Sequence, residues 1–293
     1  MKGGVGAVFL LVCFAWQGRK TSAKYLCFSK GFGVRSSTKK GKVALTKVAK
    51  KLLKKHNNDV DSASNEHFQS LMEKMEGSAN LHEARVAATW DTVALFLPQD
   101  YARTKNEVEP YVHRRLRHVV SACGTARSLL DVGCGDGALV PYLDDSCAYS
   151  GLDLSKEMVD LGKRRHPGKN FWMGGFPQDV PAGASYDAVL FNGSLQFFRD
   201  TRQAIEDAAG LLNPGGRIVL SHVNGGKFVQ DECRQNPLVA VRGMPNNLNL
   251  ATMAELAGLV ILDKSSSLGT ELDPKLDGNN DDFYLVVLEK PID

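Results

Sequence analysis

The sequence predicts an α/β fold: a doubly wound, mostly parallel seven-stranded sheet with an antiparallel last strand, preceded by an N-terminal helical cap. Three observations lead there. Short apolar runs of strand length alternate with helix-like stretches from Leu129 to Leu220, the order that builds βαβ units. The first run, Leu129-Leu130-Asp131-Val132, passes into Gly133-Cys134-Gly135-Asp136-Gly137, a glycine loop where a doubly wound sheet meets its ligand. The last two runs, 260–262 and 283–288, have no helix between them, which forces an antiparallel pair.

The chain reads as three parts: a leader over 1–58, a linker and helical cap over 59–121, and a ligand-binding domain over 122–293. The leader carries 14 of the 36 Lys and Arg residues and none of the 33 Asp and Glu residues. Its apolar run from Val5 to Trp16 is too short to span a bilayer and fits a signal-peptide core. Small-residue cleavage patterns end at Ala15 and Ala23. The acid-free stretch beyond, rich in Lys, Ser, Thr and Gly, has transit-peptide composition. Signal followed by transit resembles a bipartite plastid presequence, so a plastid location is expected, with mitochondrion or secretory pathway as alternatives. No stable membrane span is expected after processing. Lys39 to Lys55 reads either as a basic amphipathic helix or as a solvated linker.

The rest of the chain is acidic, which argues against non-specific nucleic-acid binding. Six scattered cysteines form no C-x-x-C pair, so no metal site is expected. Within the cap, Phe68, Leu71, Met72 and Met75 recur at helical spacing, as do Leu81, Arg85, Ala88 and Trp90. A third apolar face, Tyr111, Leu116, Val119 and Val120, follows Pro110. Trp90, Phe96, Tyr101 and His113 are candidates to face the ligand pocket.

In the domain, Ala138 to Leu143 reads as the start of a helix with Pro141 near its first turn. Ala148 to Leu154 is the second strand. Asp153 lies 18 residues after Gly135, the distance at which an acid past a glycine loop accepts ribose hydroxyls. Ser155 caps the next helix, 156–165, and Met158 is placed to pack on an adenine ring. Phe171-Trp172-Met173 is the third strand and Tyr186 to Phe191 the fourth. Ala204 to Leu212 reads as helix, and the turn Asn213-Pro214-Gly215-Gly216 opens the fifth strand, which ends at His222. Gly225 to Leu250 shows little periodicity. Thr252 to Gly258 is a short helix before the last two strands.

The acids choose the ligand. Asp131 and Asp136 beside the glycine loop would repel a pyrophosphate and attract an ammonium or a sulfonium. S-adenosylmethionine carries both cations and no phosphate. L-L-D-V-G-C-G-D-G then resembles motif I of the class I, seven-strand, Rossmann-like S-adenosylmethionine-dependent methyltransferases, in particular the type 11 small-molecule group. The similarity runs from about Tyr111 to the C-terminus and includes the L-x-P-G-G turn at Leu212 to Gly216.

That resemblance implies a cofactor site of Asp131, Gly133, Cys134, Gly135, Gly137, Asp153, Leu154, Met158, Gly175, Phe176 and Asn192. Relatives often carry Gly-Asp where this chain has Gly175-Phe176, so Phe176 is expected to stack on the adenine. Gln196 stands where relatives often have His; with Tyr101 it is a candidate for the acceptor. His222, at the end of the fifth strand, is the candidate general base. The implied activity is methyl transfer to a small-molecule acceptor: quinone-type lipid, phenol, tetrapyrrole or amine. The alternatives are an NAD(P)-dependent oxidoreductase and a non-catalytic S-adenosylmethionine-binding module. The sequence sets no oligomeric state.

Overall fold

A computed structural model describes residues 45–97, 110–262 and 283–292. The apolar run, both cleavage patterns and Tyr101 lie outside these described residues.

The cap is helical. Thr46 starts α1 (Lys47–Lys55) by accepting the Ala49 N–H, and Asp59 starts α2 (Val60–Lys74) by accepting the Asp61 N–H. Asn80 caps α3 (Leu81–Phe96) through the Glu83 N–H. Ala49, Leu52 and Leu53 of α1 pack on Val60 and Ala63 of α2 and on Leu95 and Phe96 of α3. Helix α1 falls inside the 1–58 stretch expected to be leader. A boundary at 58 therefore cuts through a packed helical cluster, and the folded part begins before it. Phe96 belongs to that cluster and not to the pocket wall expected for it.

Helix α3 is buried on most sides because it is sandwiched between the cap and the main domain. Its Asp91 Oδ1 accepts the Ser155 hydroxyl at 2.6 Å and the Glu157 N–H at 3.0 Å. These bonds tie α3 to the N-terminus of α5 (Lys156–Arg165), where the carboxylate meets one unpaired backbone N–H, the hydroxyl of the capping serine and the positive end of the helix. Helix α4 (Pro110–Ala122) turns Val112, Leu116 and Val119 onto the sheet.

The sheet has seven strands in the order β3-β2-β1-β4-β5-β7-β6. They are β1 (Ser128–Val132), β2 (Ala148–Asp153), β3 (Asn170–Met173), β4 (Tyr186–Asn192), β5 (Leu212–His222), β6 (Val260–Ile261) and β7 (Tyr284–Glu289). β1 to β5 run parallel, β7 pairs antiparallel with β5, and β6 antiparallel with β7. One strand of seven is thus reversed, as expected. Alternation along each strand feeds two cores. Leu130, Val189, Phe191, Ile218 and Leu220 face one layer, with α6 (Thr201–Gly210) and α8 (Asn247–Leu256). Leu129, Leu190, Val219, Leu285 and Val287 face the other, with α4 and Val159 of α5.

Three local expectations are corrected. After the glycine loop the chain makes turns and one 3-10 turn, Val140–Tyr142, instead of a helix, because Pro141 removes a donor where an α-helix would need one. The stretch that reads as lacking periodicity holds α7 (Gly225–Gln235), which buries Val229 and Glu232, three residues apart on one face. A buried glutamate interrupts the apolar stripe and hides it from a pattern search. Helix α8 begins at Asn247, five residues earlier than its apolar pattern suggests, where Asn246 accepts the Asn249 N–H.

Candidate functional site

Because β1 to β5 are parallel, their carboxyl ends share one edge, and the residues following each strand converge there. Gly133 to Asp136, Asp153–Leu154, Gly174 to Phe176, Asn192 to Ser194, Gln196 to Phe198 and His222 to Asn224 line one cavity of about 380 Å³. Helix α3 closes it from the cap with His82, Glu83, Val86, Trp90 and Val93, and α4 with Val112 and Leu116. Of the cap residues expected to face the pocket, Trp90 does. His113 instead meets the Tyr142 hydroxyl at 3.3 Å.

The glycine loop is shaped by contact. Gly133 has φ +72°, and a Cβ there would stand 2.5 Å from the Ser194 Cβ. Ser194 in turn donates its hydroxyl to the Val132 carbonyl at 2.5 Å, so the β1 and β4 loops touch with no room for a side chain. Gly137 answers a different need. It does not line the cavity, and a Cβ there would meet the Phe171 ring and His166 at 2.8 Å. It is a packing glycine, not a ligand contact.

Asp153 stands in the cavity wall. Its Oδ2 accepts the Gly135 N–H and its Oδ1 the Ser155 N–H, both at 2.8 Å. One carboxyl thus fixes the loop after β1 and the helix start after β2. Burial pushes it up to about 6, against the lowering effect of those N–H bonds. Leu154 and Met158 provide an apolar wall beside it.

The two acids that singled out a cationic ligand are used otherwise. Asp131 points into the second core, outside the cavity lining, and accepts the Tyr149 hydroxyl at 2.9 Å; burial raises it to about 7. Asp136 lines the cavity but is ion-paired with the buried Arg165 of α5. Neither is a free carboxylate facing a sulfonium. The cysteine of the loop, Cys134, is buried, and desolvation raises its thiol well above its ordinary value.

At the other end, Gly175 donates its N–H to Asp179 at 2.8 Å, and Phe176 lines the cavity while meeting Phe191 and Phe198 edge-on, with centroids 5.6 and 6.2 Å away. Asn192 accepts the Ser221 hydroxyl at 2.9 Å.

His222 lies at the floor, stacked on Phe228 at 5.2 Å. Its Nδ1 accepts the Asn224 N–H at 3.2 Å, and burial lowers it to about 4. The ring is therefore neutral with its proton on Nε2. That nitrogen can donate a hydrogen bond but has no lone pair to take a proton. The expected general base is corrected to a donor.

Gln196 is 1% exposed and lines the same floor. Behind it sits Glu232 of α7, a carboxyl that the sequence reading missed, pushed up to about 8 by burial although the Gln196 bond opposes this. The i, i+3, i+7 face of Val229, Glu232 and Asn236 was the available signal, since an acid on a buried helical face needs a polar reason.

Residues 130–218 match a family model described as a methyltransferase domain. A demethylmenaquinone methyltransferase of Renibacterium salmoninarum is 32% identical over 181 residues, covering 58% of this chain and 75% of the relative. A malonyl-[acyl-carrier protein] O-methyltransferase of Hahella chejuensis is 34% identical over 106 residues, 33% of this chain and 37% of that one. Among solved structures, the plantazolicin methyltransferase BpumL in complex with SAH superposes over 79% of this chain and 99% of its own, at 14% identity and a TM-score of 0.49.

Proposed function

Since the chain belongs to the class I S-adenosylmethionine-dependent methyltransferases, we propose that its cavity binds the methyl donor along β1 and β2 and an aromatic, quinone-type acceptor between α3 and β5. One observation carries the cofactor end: the Asp153 carboxyl, pinned by two N–H groups, still has a free lone pair on each oxygen for ribose hydroxyls. Gly133 and Gly135 admit the cofactor backbone-close, Asn192 meets its amino-acid portion, and Leu154, Met158, Gly175 and Phe176 surround the adenine. The acceptor end is lined by Trp90, Phe197, Phe198 and Phe228, which suit a flat apolar ring. The relative named demethylmenaquinone methyltransferase supports that class.

When bound, the cofactor supplies a methyl group already activated on a sulfonium. The residues of this chain are then left to align, to exclude water and to hold the acceptor, with His222 donating from Nε2. The test is transfer of a labelled methyl group to a demethylated naphthoquinol by the purified protein. Turnover is expected. Binding of S-adenosylhomocysteine without transfer to any aromatic acceptor would reject the acceptor class, and selective binding of NADPH would reject the cofactor.

We also propose that the basic, acid-free segment before the first helix directs the protein to a plastid. A fluorescent protein carrying residues 1–44 should accumulate there; a cytosolic signal would reject targeting, and a mitochondrial one the plastid.

A further inference from the structure

The floor of the cavity holds polar atoms that no contact yet explains. The Gln196 amide nitrogen donates to the Gly193 carbonyl at 3.1 Å and, over a longer 3.4 Å, to Glu232 Oε2. Both amide hydrogens are thereby committed, and the flip of the amide is set. The Gln196 backbone carbonyl accepts N–H groups from Val241 and Arg242 at 2.9 and 3.2 Å, which ties the loop after β4 to the segment after α7. Three polar atoms here are buried with no hydrogen-bond partner among the described residues: Gln196 Oε1, Glu232 Oε1 and Asn236 Nδ2. Of these three residues, Gln196 alone lines the cavity, so its Oε1 is the atom a ligand can meet. An acceptor oxygen left unsatisfied in an apolar cavity is costly unless a ligand donor meets it. His222, whose ring edge lies 3.6 Å from where a Gly193 Cβ would stand, presents an N–H to the same floor.

We propose that Gln196, with its amide oriented by Glu232, accepts a hydrogen bond from a hydroxyl of the methyl acceptor while His222 Nε2–H donates to that hydroxyl's oxygen, so that the pair selects neutral hydroxylated rings. Gln196 is the binding residue and Glu232 a positioning residue acting through it. The assignment rests on the reading of this cavity as the methyl-transfer site. The chemistry of the floor agrees with a neutral group. Glu232 is held as an uncharged acid at neutral pH, and His222 is uncharged too. A hydroxyl can donate and accept at once, as the pair requires. A methyl ether or bare ring leaves Gln196 Oε1 unmet, and an anion puts charge against it.

The experiment uses the full chain saturated with S-adenosylhomocysteine and three probes: 1-naphthol, 1-methoxynaphthalene and naphthalene. Binding is read by fluorescence. In the native protein 1-naphthol should bind about tenfold tighter than either other probe, the effect of one hydrogen bond to a group otherwise buried unpaired. Gln196→Leu should bring the three affinities together. Glu232→Leu should lower the preference several-fold, and Glu232→Gln, which keeps an oxygen facing the Gln196 amide, should restore it. Adding Glu232→Leu to Gln196→Leu should change the preference no further, because Glu232 works only through Gln196. Since a buried leucine can disturb folding, each variant is first shown to bind S-adenosylhomocysteine with native affinity. An undiminished naphthol preference in Gln196→Leu, or a loss in Glu232→Leu that adds to it, overturns the assignment and leaves the cofactor reading standing. Failure of the native protein to bind S-adenosylhomocysteine overturns both.

Discussion

Asp153 does two jobs at once, and burial pulls its proton against both. Its carboxyl organises the loop after β1 and faces the proposed ribose position. Burial raises its pKa from an ordinary 3.8 to about 6. Between those values the folded protein holds a proton that the unfolded chain has lost, so this group destabilises the fold as pH rises through that window, fully above about 6. Ribose hydroxyls favour the ionised form, so cofactor binding runs the other way. Affinity should be complete about one unit above that pKa, near pH 7, and about tenfold weaker at pH 5, where about a tenth of the carboxyl is ionised. Calorimetry of S-adenosylhomocysteine at pH 5 and 7.5 reads this directly. Asp153→Asn should bind more weakly and show a flat profile; a slope persisting in that variant would place the titration elsewhere. This position was legible because backbone geometry fixes it: an acid at the end of the strand after a glycine loop has few places to go. His222 was legible as a position but not as a chemical state. Its tautomer depends on one N–H two residues ahead, and its pKa on burial, neither of which sequence spacing contains.

At the scale of elements, the strands and the cavity helices α3 and α4 could be read, and helices α1 and α7 could not. β1, β4 and β5 are continuous apolar runs because both faces are covered, which leaves a plain signal. Helix α7 places Glu232 inward and carries an otherwise polar surface, so its stripe is too thin to stand out. Helix α1 was hidden for a different reason. Its lysine-rich outer face continues the composition of the leader, while Ala49, Leu52 and Leu53 on the inner face do the packing. Removing it should therefore matter. A chain starting at residue 59 exposes Val60, Ala63, Leu95 and Phe96 and should melt several degrees below one starting at 45, a loss of about 1–3 kcal/mol for a few small apolar contacts. Equal melting temperatures would show that α1 adds no stability. Since α3 is also a wall of the cavity, the shorter chain should bind S-adenosylhomocysteine more weakly as well.

Across the whole molecule, the parallel strands gather their carboxyl ends at one edge, and the cap helices roof that edge. The sequence order of loops, helices and strands announced this arrangement. What it could not announce was the pairing of charges across it, because Arg165 lies 29 residues from Asp136 and Tyr149 sits on a different strand from Asp131. Those pairings bear on how the protein would behave in a cell. A binding pocket distinguishes substrate from spent product only by what changes between them. Here the change is a methyl group and one positive charge on sulfur. With Asp136 neutralised by Arg165 and Asp131 turned into the core, these two acids give no net negative charge to favour the charged form. Spent cofactor should bind as tightly as fresh, within about threefold, a difference of about 0.7 kcal/mol. Competitive titration of the two forms measures it; a preference of a hundredfold for the methylated form would require an anion beside the sulfur. Held to such a ratio, the enzyme would slow whenever product accumulates, so its output would follow the supply of fresh methyl donor relative to its waste and not the donor concentration alone.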